Sequence, residues 1–228
     1  MKKTNVEAEL KYTIDTGDLD SLIAKPEISR FLTQMGQHKS YAMRSVYYYT
    51  YDQKLREHKI VLRRRRANTR YFITMKAPIT AHDGVFLRKE WEYELSGEDC
   101  LLDPRDGLDK AWFLRRLREN GKPADDDAGL IHVLDKIDGV PLREVCGSDF
   151  MRMAYRLSYR GSLFELALDQ GYLFAQDRNA PFEEIELELL DGSLEDIQEL
   201  NDIWLAKLPI SPNTLTKYER AIALFDER

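Results

Sequence analysis

Apolar and polar residues alternate with a period of two in segment after segment of this chain. That is the pattern of strands with one buried and one polar face. It is clearest in VEAELKY (6–12) and EEIELELL (183–190), where Ala8, Leu10, Ile185 and Leu187 separate charged neighbours. The pattern predicts strands at residues 5–13, 45–51, 59–66, 70–77, 87–95, 150–160, 163–175 and 181–190. Helical spacing of apolar residues predicts helices within 18–36, divided at Pro26, and at 108–120, 128–136, 193 to about 207, and 214–226. Ser193 is placed to cap the fourth of these. DQKLREHK (52–59) reads as a turn or helical loop. Ala67-Asn68-Thr69, His82-Asp83-Gly84 and Gly161-Ser162 read as connections between strands. The expected architecture is α+β, a single domain over 1–228 with a helical insertion at about 97–147.

The polar faces are unusual because each carries so much charge. Glu184, Glu186 and Glu188 share one face of a strand, as do Glu7, Glu9 and Lys11. Like charges on one face repel, so cations must neutralise them. Arg63 and Arg65 share a face, with Arg64 and Arg66 on the other. Thr74 and Lys76, then Arg88, Glu90 and Glu92, then Arg152 and Arg156, then Glu165 and Asp169 complete the set. For any one segment the ordinary explanation is a solvated sheet face. Arg63–Arg66 alone fits an exposed basic edge or a nucleic-acid patch. Acidic and basic runs spread over roughly eight strands instead imply a closed antiparallel eight-stranded barrel with a polar lumen and surrounding helices. Such a lumen suits a polyphosphate with a divalent metal: carboxylates hold the metal, and guanidinium and ammonium groups hold phosphate oxygens.

Composition narrows this further. With 228 residues and a net charge of −6, the chain does not have the charge of a nucleic-acid binder. Acidic residues concentrate locally, as at Asp125–Asp127. The two cysteines, Cys100 and Cys146, lack metal spacing and read as thiols of a reducing compartment. There is no apolar run long enough for a membrane span and no secretory signal in MKKTNVEAELKY, so a cytoplasmic monomer or homodimer is expected. Tyr47–Tyr49 and Tyr51 read as wall packing, and the four histidines receive no role.

The chain resembles the CYTH domains, or triphosphate tunnel metalloenzymes. VEAELKY is similar to their ExExK signature, and YYYTYDQKLREHKIVLRRRR to a tyrosine-rich strand followed by LRxR. RYFITMK resembles the TxK strand, and FMRMAY the strand with a single arginine. FELALDQG, EIELELLDG and TKYERA resemble the later acidic strands and terminal lysine helix. The wording is most similar to bacterial inorganic triphosphatases, many of which carry a second, histidine-rich helical domain that is not expected in this chain. The resemblance implies Mg²⁺- or Mn²⁺-dependent hydrolysis of tripolyphosphate to pyrophosphate and phosphate. A class IV-type adenylate cyclase, a thiamine triphosphatase and a catalytically weak polyphosphate- or nucleotide-binding module remain as alternatives.

Residue by residue, the resemblance makes Glu7, Glu9, Asp169, Glu184, Glu186 and Glu188 metal ligands. Lys11, Arg63, Arg65, Lys76, Arg152 and Lys217 become the phosphate-binding cations, with Lys11 and Glu9 catalytic. Arg64 and Arg66 face outward without a family role, and Thr216 stands where serine is usual. Arg88 and Glu90 read as a lumen ion pair, and Arg156 as either lumen-facing or solvated. All assigned residues handle charge, and none forms a pocket for a base. Tripolyphosphate is therefore expected to be cleaved with a higher kcat/KM than ATP.

Overall fold

The computed structural model describes residues 6–14, 18–82, 85–121 and 127–226, without the side chains of 78–82 and 86. Asp83, Gly84, Asp125, Asp126 and the first five residues, all mentioned above, lie outside the described residues. The strands are β1 (Val6–Ile14), β2 (Lys39–Thr50), β3 (Val61–Ala67), β4 (Arg70–His82), β5 (Val85–Leu95), β6 (Leu142–Tyr159), β7 (Ser162–Ala175), β8 (Arg178–Asp191) and β9 (Ile210–Pro212). The helices are α1 (Leu19–Ile23), α2 (Pro26–Gln34), α3 (Lys54–Glu57), α4 (Lys110–Glu119), α5 (Ala128–Ile137), α6 (Leu194–Ile203) and α7 (Lys217–Asp226).

The sheet runs β5-β4-β3-β2-β6-β7-β8-β1, and a further β5–β1 pairing closes it into an eight-stranded antiparallel barrel. β1 pairs with β5 through Val6–Glu9 and with β9 through Tyr12–Ile14, so the short β9 continues along the edge that β5 leaves. Tight connections use left-handed backbone. Arg160 and Gly161, with φ of 51° and 89°, form the β6–β7 turn, so Ser162 begins β7 rather than sitting in the turn. Asn68, at φ 55°, turns β3 into β4. Gly171 on β7 is required for a different reason: a Cβ there would lie 2.3 Å from the Asp149 carbonyl oxygen on β6.

Because the lumen faces are polar, the apolar faces of the strands point outward and must be covered by helices. Two separate clusters do this. Leu62, Ile73, Met75 and Trp91 pack with Phe113 and Leu117 of α4 and Leu130 and Leu134 of α5. Leu10, Phe164, Leu166, Ile185 and Leu187 pack with Leu19 and Leu22 of α1, Ile28 and Leu32 of α2, and Ile197 and Leu200 of α6. Burying each such leucine or isoleucine is worth about 1.5–3 kcal/mol. The helices start where polar caps allow: Asp18, Asp109, Asp127 and Ser193 each accept a hydrogen bond from an N–H of the first turn, and Pro26 opens α2.

Several boundaries differ from the sequence reading: β4 runs to His82 rather than Ala77, and α7 starts at Lys217 rather than 214. β2 begins at Lys39 rather than Ser45, because Lys39–Arg44 pair with β6 despite a polar sequence. β6 begins at Leu142 rather than 150, so the helical segment after β5 ends before 142. Val145–Ser148 are buried on both faces and show no alternation. α6 ends at Ile203, with one 3-10 turn (Leu205–Lys207) completing the span expected to be helical.

Candidate functional site

The lumen faces meet in one cavity of about 720 Å³. Alternate residues of β1 (Glu7, Glu9, Lys11), β3 and β5 reach it, together with Lys76 of β4, Arg152 of β6, Glu165 of β7 and Glu186 and Glu188 of β8, with α7 contributing Lys217 from one end. Two carboxylates expected in the lumen, Asp169 and Glu184, lie just behind it, in contact with Lys217.

Two charge environments share this barrel. The first is built around Lys217, which is almost fully buried. Its ammonium lies 2.8 Å from both Asp169 and Glu186 and also bonds Glu184. Arg152 donates two 2.7 Å bonds to Asp169 and another to Glu186. Glu184 further accepts from Asn213 at 2.9 Å and Arg220 at 2.6 Å. Oxygens of Asp169, Glu184 and Glu186 lie within 4.8 Å of one another, an arrangement able to hold a metal ion. The Lys217 ammonium already stands among them. Burial pushes the Glu186 carboxyl up, but Lys217, Arg152 and Lys11 outweigh it and hold it well below the usual range. Burial wins at Glu184, whose carboxyl is raised.

The second environment lies along β1, β3, β4, β5 and the later part of β8. Glu7 accepts from Lys76 at 2.6 and 2.7 Å. Glu9 lies 2.7 Å from Lys11 and 3.4 Å from Arg88. Arg63 reaches Thr74 at 3.2 Å, Glu92 at 3.3 Å and Glu90 at 3.6 Å, and Lys76 reaches Glu90 at 3.2 Å. Glu188 stands between Glu9 on β1 and Glu165 on β7 by strand register, a row of three carboxylates. Among the described residues Glu188 has no ion-pair partner. Burial, then the charges of Glu7, Glu9 and Glu90, push its carboxyl well above the usual range. Arg65 is the opposite case: its Nε donates to Ser45 at 3.0 Å, and no carboxylate of the described residues pairs with it. Burial and the neighbouring Arg63 and Arg152 charges pull it down to about 10.

The residues expected to bind metal therefore fall into two sets: Asp169, Glu184 and Glu186 around Lys217, and Glu7, Glu9 and Glu188 apart from them. Lys11 stands between the two sets, 2.7 Å from Glu9 and 3.9 Å from Glu186, and Glu7, Glu9 and Glu186 line the same cavity. Arg88 reaches Glu9, while Glu90 reaches Arg63 and Lys76. Arg156 pairs with Glu165 at 3.0 Å but is 57% exposed. Arg64 points outward, donates to the Cys100 carbonyl at 2.9 Å and lies over the Tyr71 ring. Sequence reasoning missed Asn213, which carries no local signal. Tyr47, Tyr48 and Tyr49 are buried in the wall as expected, and Tyr47 and Tyr49 also border the cavity; Tyr51 is exposed instead.

No helix of the described residues is long and apolar enough to cross a membrane. An inorganic triphosphatase of Haemophilus influenzae is 22% identical over 161 residues, 71% of this chain; the match spans 40% of that protein's length. Among solved structures, the Hippeastrum protein HpAC1, described as an adenylyl cyclase candidate with a dominant triphosphatase activity, superposes with a TM-score of 0.62 at 19% identity. The match covers 95% of each chain. The PH1819 protein of Pyrococcus horikoshii superposes with a TM-score of 0.53 at 19% identity, covering 97% of this chain and 99% of its own. The sequence profile of the CYTH domain matches residues 5–222, and the closed barrel with its charged lumen agrees with it: the chain belongs to the CYTH domain family.

Proposed function

We propose that this protein hydrolyses inorganic triphosphate with a divalent metal, Mg²⁺ or Mn²⁺, inside its tunnel. One observation carries the reading. Among the described residues, a single cavity holds a guanidinium in no ion pair, Arg65, and a carboxylate in no ion pair, Glu188, whose surroundings are dominated by like charge. An isolated buried charge is costly. A metal–triphosphate complex supplies both missing counter-charges at once.

The donor set fits such a metal. Glu7, Glu9, Glu188 and Glu165 offer only hard carboxylate oxygens, and Glu188 has no competing cation of its own. Glu7, Glu9 and Glu188 would hold it. The set Asp169, Glu184 and Glu186 serves first as the seat of Lys217. When bound, the cation neutralises phosphate oxygens and polarises the phosphorus centre. Arg65, Arg63, Lys76, Lys11, Arg152 and Lys217 orient the phosphates and stabilise the charge that spreads over non-bridging oxygens. Water adds to a terminal phosphorus as the anhydride P–O bond breaks, leaving pyrophosphate and phosphate. A glutamate beside the metal, such as Glu9 at 2.7 Å from Lys11, would take the proton from that water.

Incubating the pure protein with Mg²⁺ or Mn²⁺ and tripolyphosphate, ATP or thiamine triphosphate tests this. Pyrophosphate and phosphate from tripolyphosphate are expected, with loss of turnover in Glu9→Gln. Cyclic AMP from ATP without tripolyphosphate cleavage makes it a cyclase. Cleavage of thiamine triphosphate alone makes it a thiamine triphosphatase. Binding without turnover makes it a sensor.

A further inference from the structure

Two of the histidines meet outside the tunnel. His58 follows α3 in the connection to β3, and His132 lies on α5 of the helical insertion. Their rings stand edge-on, with centroids 5.5 Å apart and planes at 86°. His132 is exposed and His58 half-buried, so ions in solution reach the pair. Two imidazoles bound to one tetrahedral metal, each through a nitrogen at about 2.0–2.1 Å, have ring centroids roughly 5–6 Å apart. The two rings already stand at that spacing.

A second contact shows what His58 presents. The Lys136 Nζ lies 3.0 Å from His58 Nε2. An ammonium can only donate, so Nε2 is the acceptor and the ring is neutral, with its proton on Nδ1. Neutral imidazole is the form that ligates metals. Its lone pair is here directed at a cation that the protein itself supplies. Lys136 comes four residues after His132, so the two side chains share a face of α5. That face offers His58 an imidazole and an ammonium side by side.

We infer that His58 and His132 form a binding site for a borderline transition-metal dication such as Zn²⁺, which takes the place of the Lys136 ammonium and completes its coordination with water. Imidazole nitrogen suits Zn²⁺ and Cu²⁺, whereas the carboxylates of the lumen suit harder ions, so the two sites select different metals. The position gives the site a consequence. His58 lies between Arg56 and Lys59, both of which line the mouth of the cavity. An ion shared with His132 would pin that turn to α5.

The test is a Zn²⁺ titration of the full chain, in excess Mg²⁺ to occupy the lumen carboxylates, followed by ¹⁵N-histidine NMR. Metal binding shifts the ligating nitrogen, so each of the four histidines is its own reporter. His58 and His132 are expected to shift together, with His38 and His82 unmoved. His132→Gln changes an exposed residue and keeps the fold. It should weaken Zn²⁺ binding at His58 by at least about tenfold, the scale on which zinc affinity responds even to loss of a supporting group. Lys136→Met removes a positive charge beside the ion and should tighten binding by at least about threefold. Lys136→His, which puts a third imidazole on the same face, should tighten it further. A merely structural contact predicts no gain, because loss of Lys136 would then only loosen α5. Absence of a shift, independent titration of the two rings, or weaker binding in Lys136→Met overturns the inference. None of these readouts depends on turnover, so the result stands apart from the triphosphatase reading.

Discussion

The Lys217 cluster and the Glu188–Arg65 region are both built from buried charges on strands of one barrel, yet they are balanced differently. Around Lys217, the carboxylates of Asp169, Glu184 and Glu186 face the cations of Lys217, Arg152 and Arg220 within hydrogen-bond distance. Every charge there is met by the protein itself. On β8 and β3, Glu188 and Arg65 stand in no ion pair with the described residues, and like charges dominate around them. The first arrangement holds the tunnel together. The second is a deficit that only a ligand fills, and folding must tolerate it for the sake of binding.

The comparison breaks most readily at Lys217. Lys217→Met leaves three buried carboxylates short of a partner, and breaking such a pair costs about 3–5 kcal/mol. Urea unfolding should show a loss of that size; an unchanged midpoint would mean that the cluster is not structural. Arg65→Ala should behave in the reverse way. It removes a guanidinium in no ion pair, whose one hydrogen bond among the described residues is to Ser45, so unfolding stability should fall by no more than about 1 kcal/mol. Tripolyphosphate kcat/KM should drop by roughly 30- to 150-fold, the equivalent of about 2–3 kcal/mol of lost charge-assisted contact. A stability loss without a kinetic loss would place Arg65 with the structural set.

The next effect is smaller. Divalent metal at tenfold over its dissociation constant stabilises a folded protein by about 1.4 kcal/mol, worth about 3–6 °C in Tm for a chain of this size. Glu188→Gln should abolish most of that metal-induced rise in a thermal melt, while Glu184→Gln should not remove it selectively. If Glu184→Gln alone removes it, the metal belongs among Asp169, Glu184 and Glu186. The smallest effect is expected at Arg156, whose pair with Glu165 sits at the exposed end of the same strands. Arg156→Ala should change stability by less than about 0.5 kcal/mol, because an exposed pair is screened by water.

Much of this was legible before any coordinates. In EEIELELL the alternation put Glu184, Glu186 and Glu188 on one face, and they are on one face. It also put Arg63 and Arg65 on one face and Arg64 on the other, and the family resemblance made the first pair the lumen face, where they lie. Pro26 and Ser193 marked helix starts because their effect is confined to one turn of backbone. Less was legible where the cue was not local. Lys39–Arg44 form a strand because β6 lies beside them, and Asn213 reaches Glu184 only because β9 docks on β1.

By itself, then, the sequence determined which residues share a face, since strand geometry has a period of two whatever the partners. It thereby determined a barrel with charge inside and apolar residues outside. Only the tertiary structure decided which charge meets which. Glu186 and Glu188 are two residues apart on one face, yet Glu186 is neutralised by Lys217, Arg152 and Lys11, while Glu188 faces Glu7, Glu9 and Glu90. That difference depends on strand register and on where α7 docks, and electrostatic energy in a poorly solvated lumen depends on distances between residues far apart in the chain.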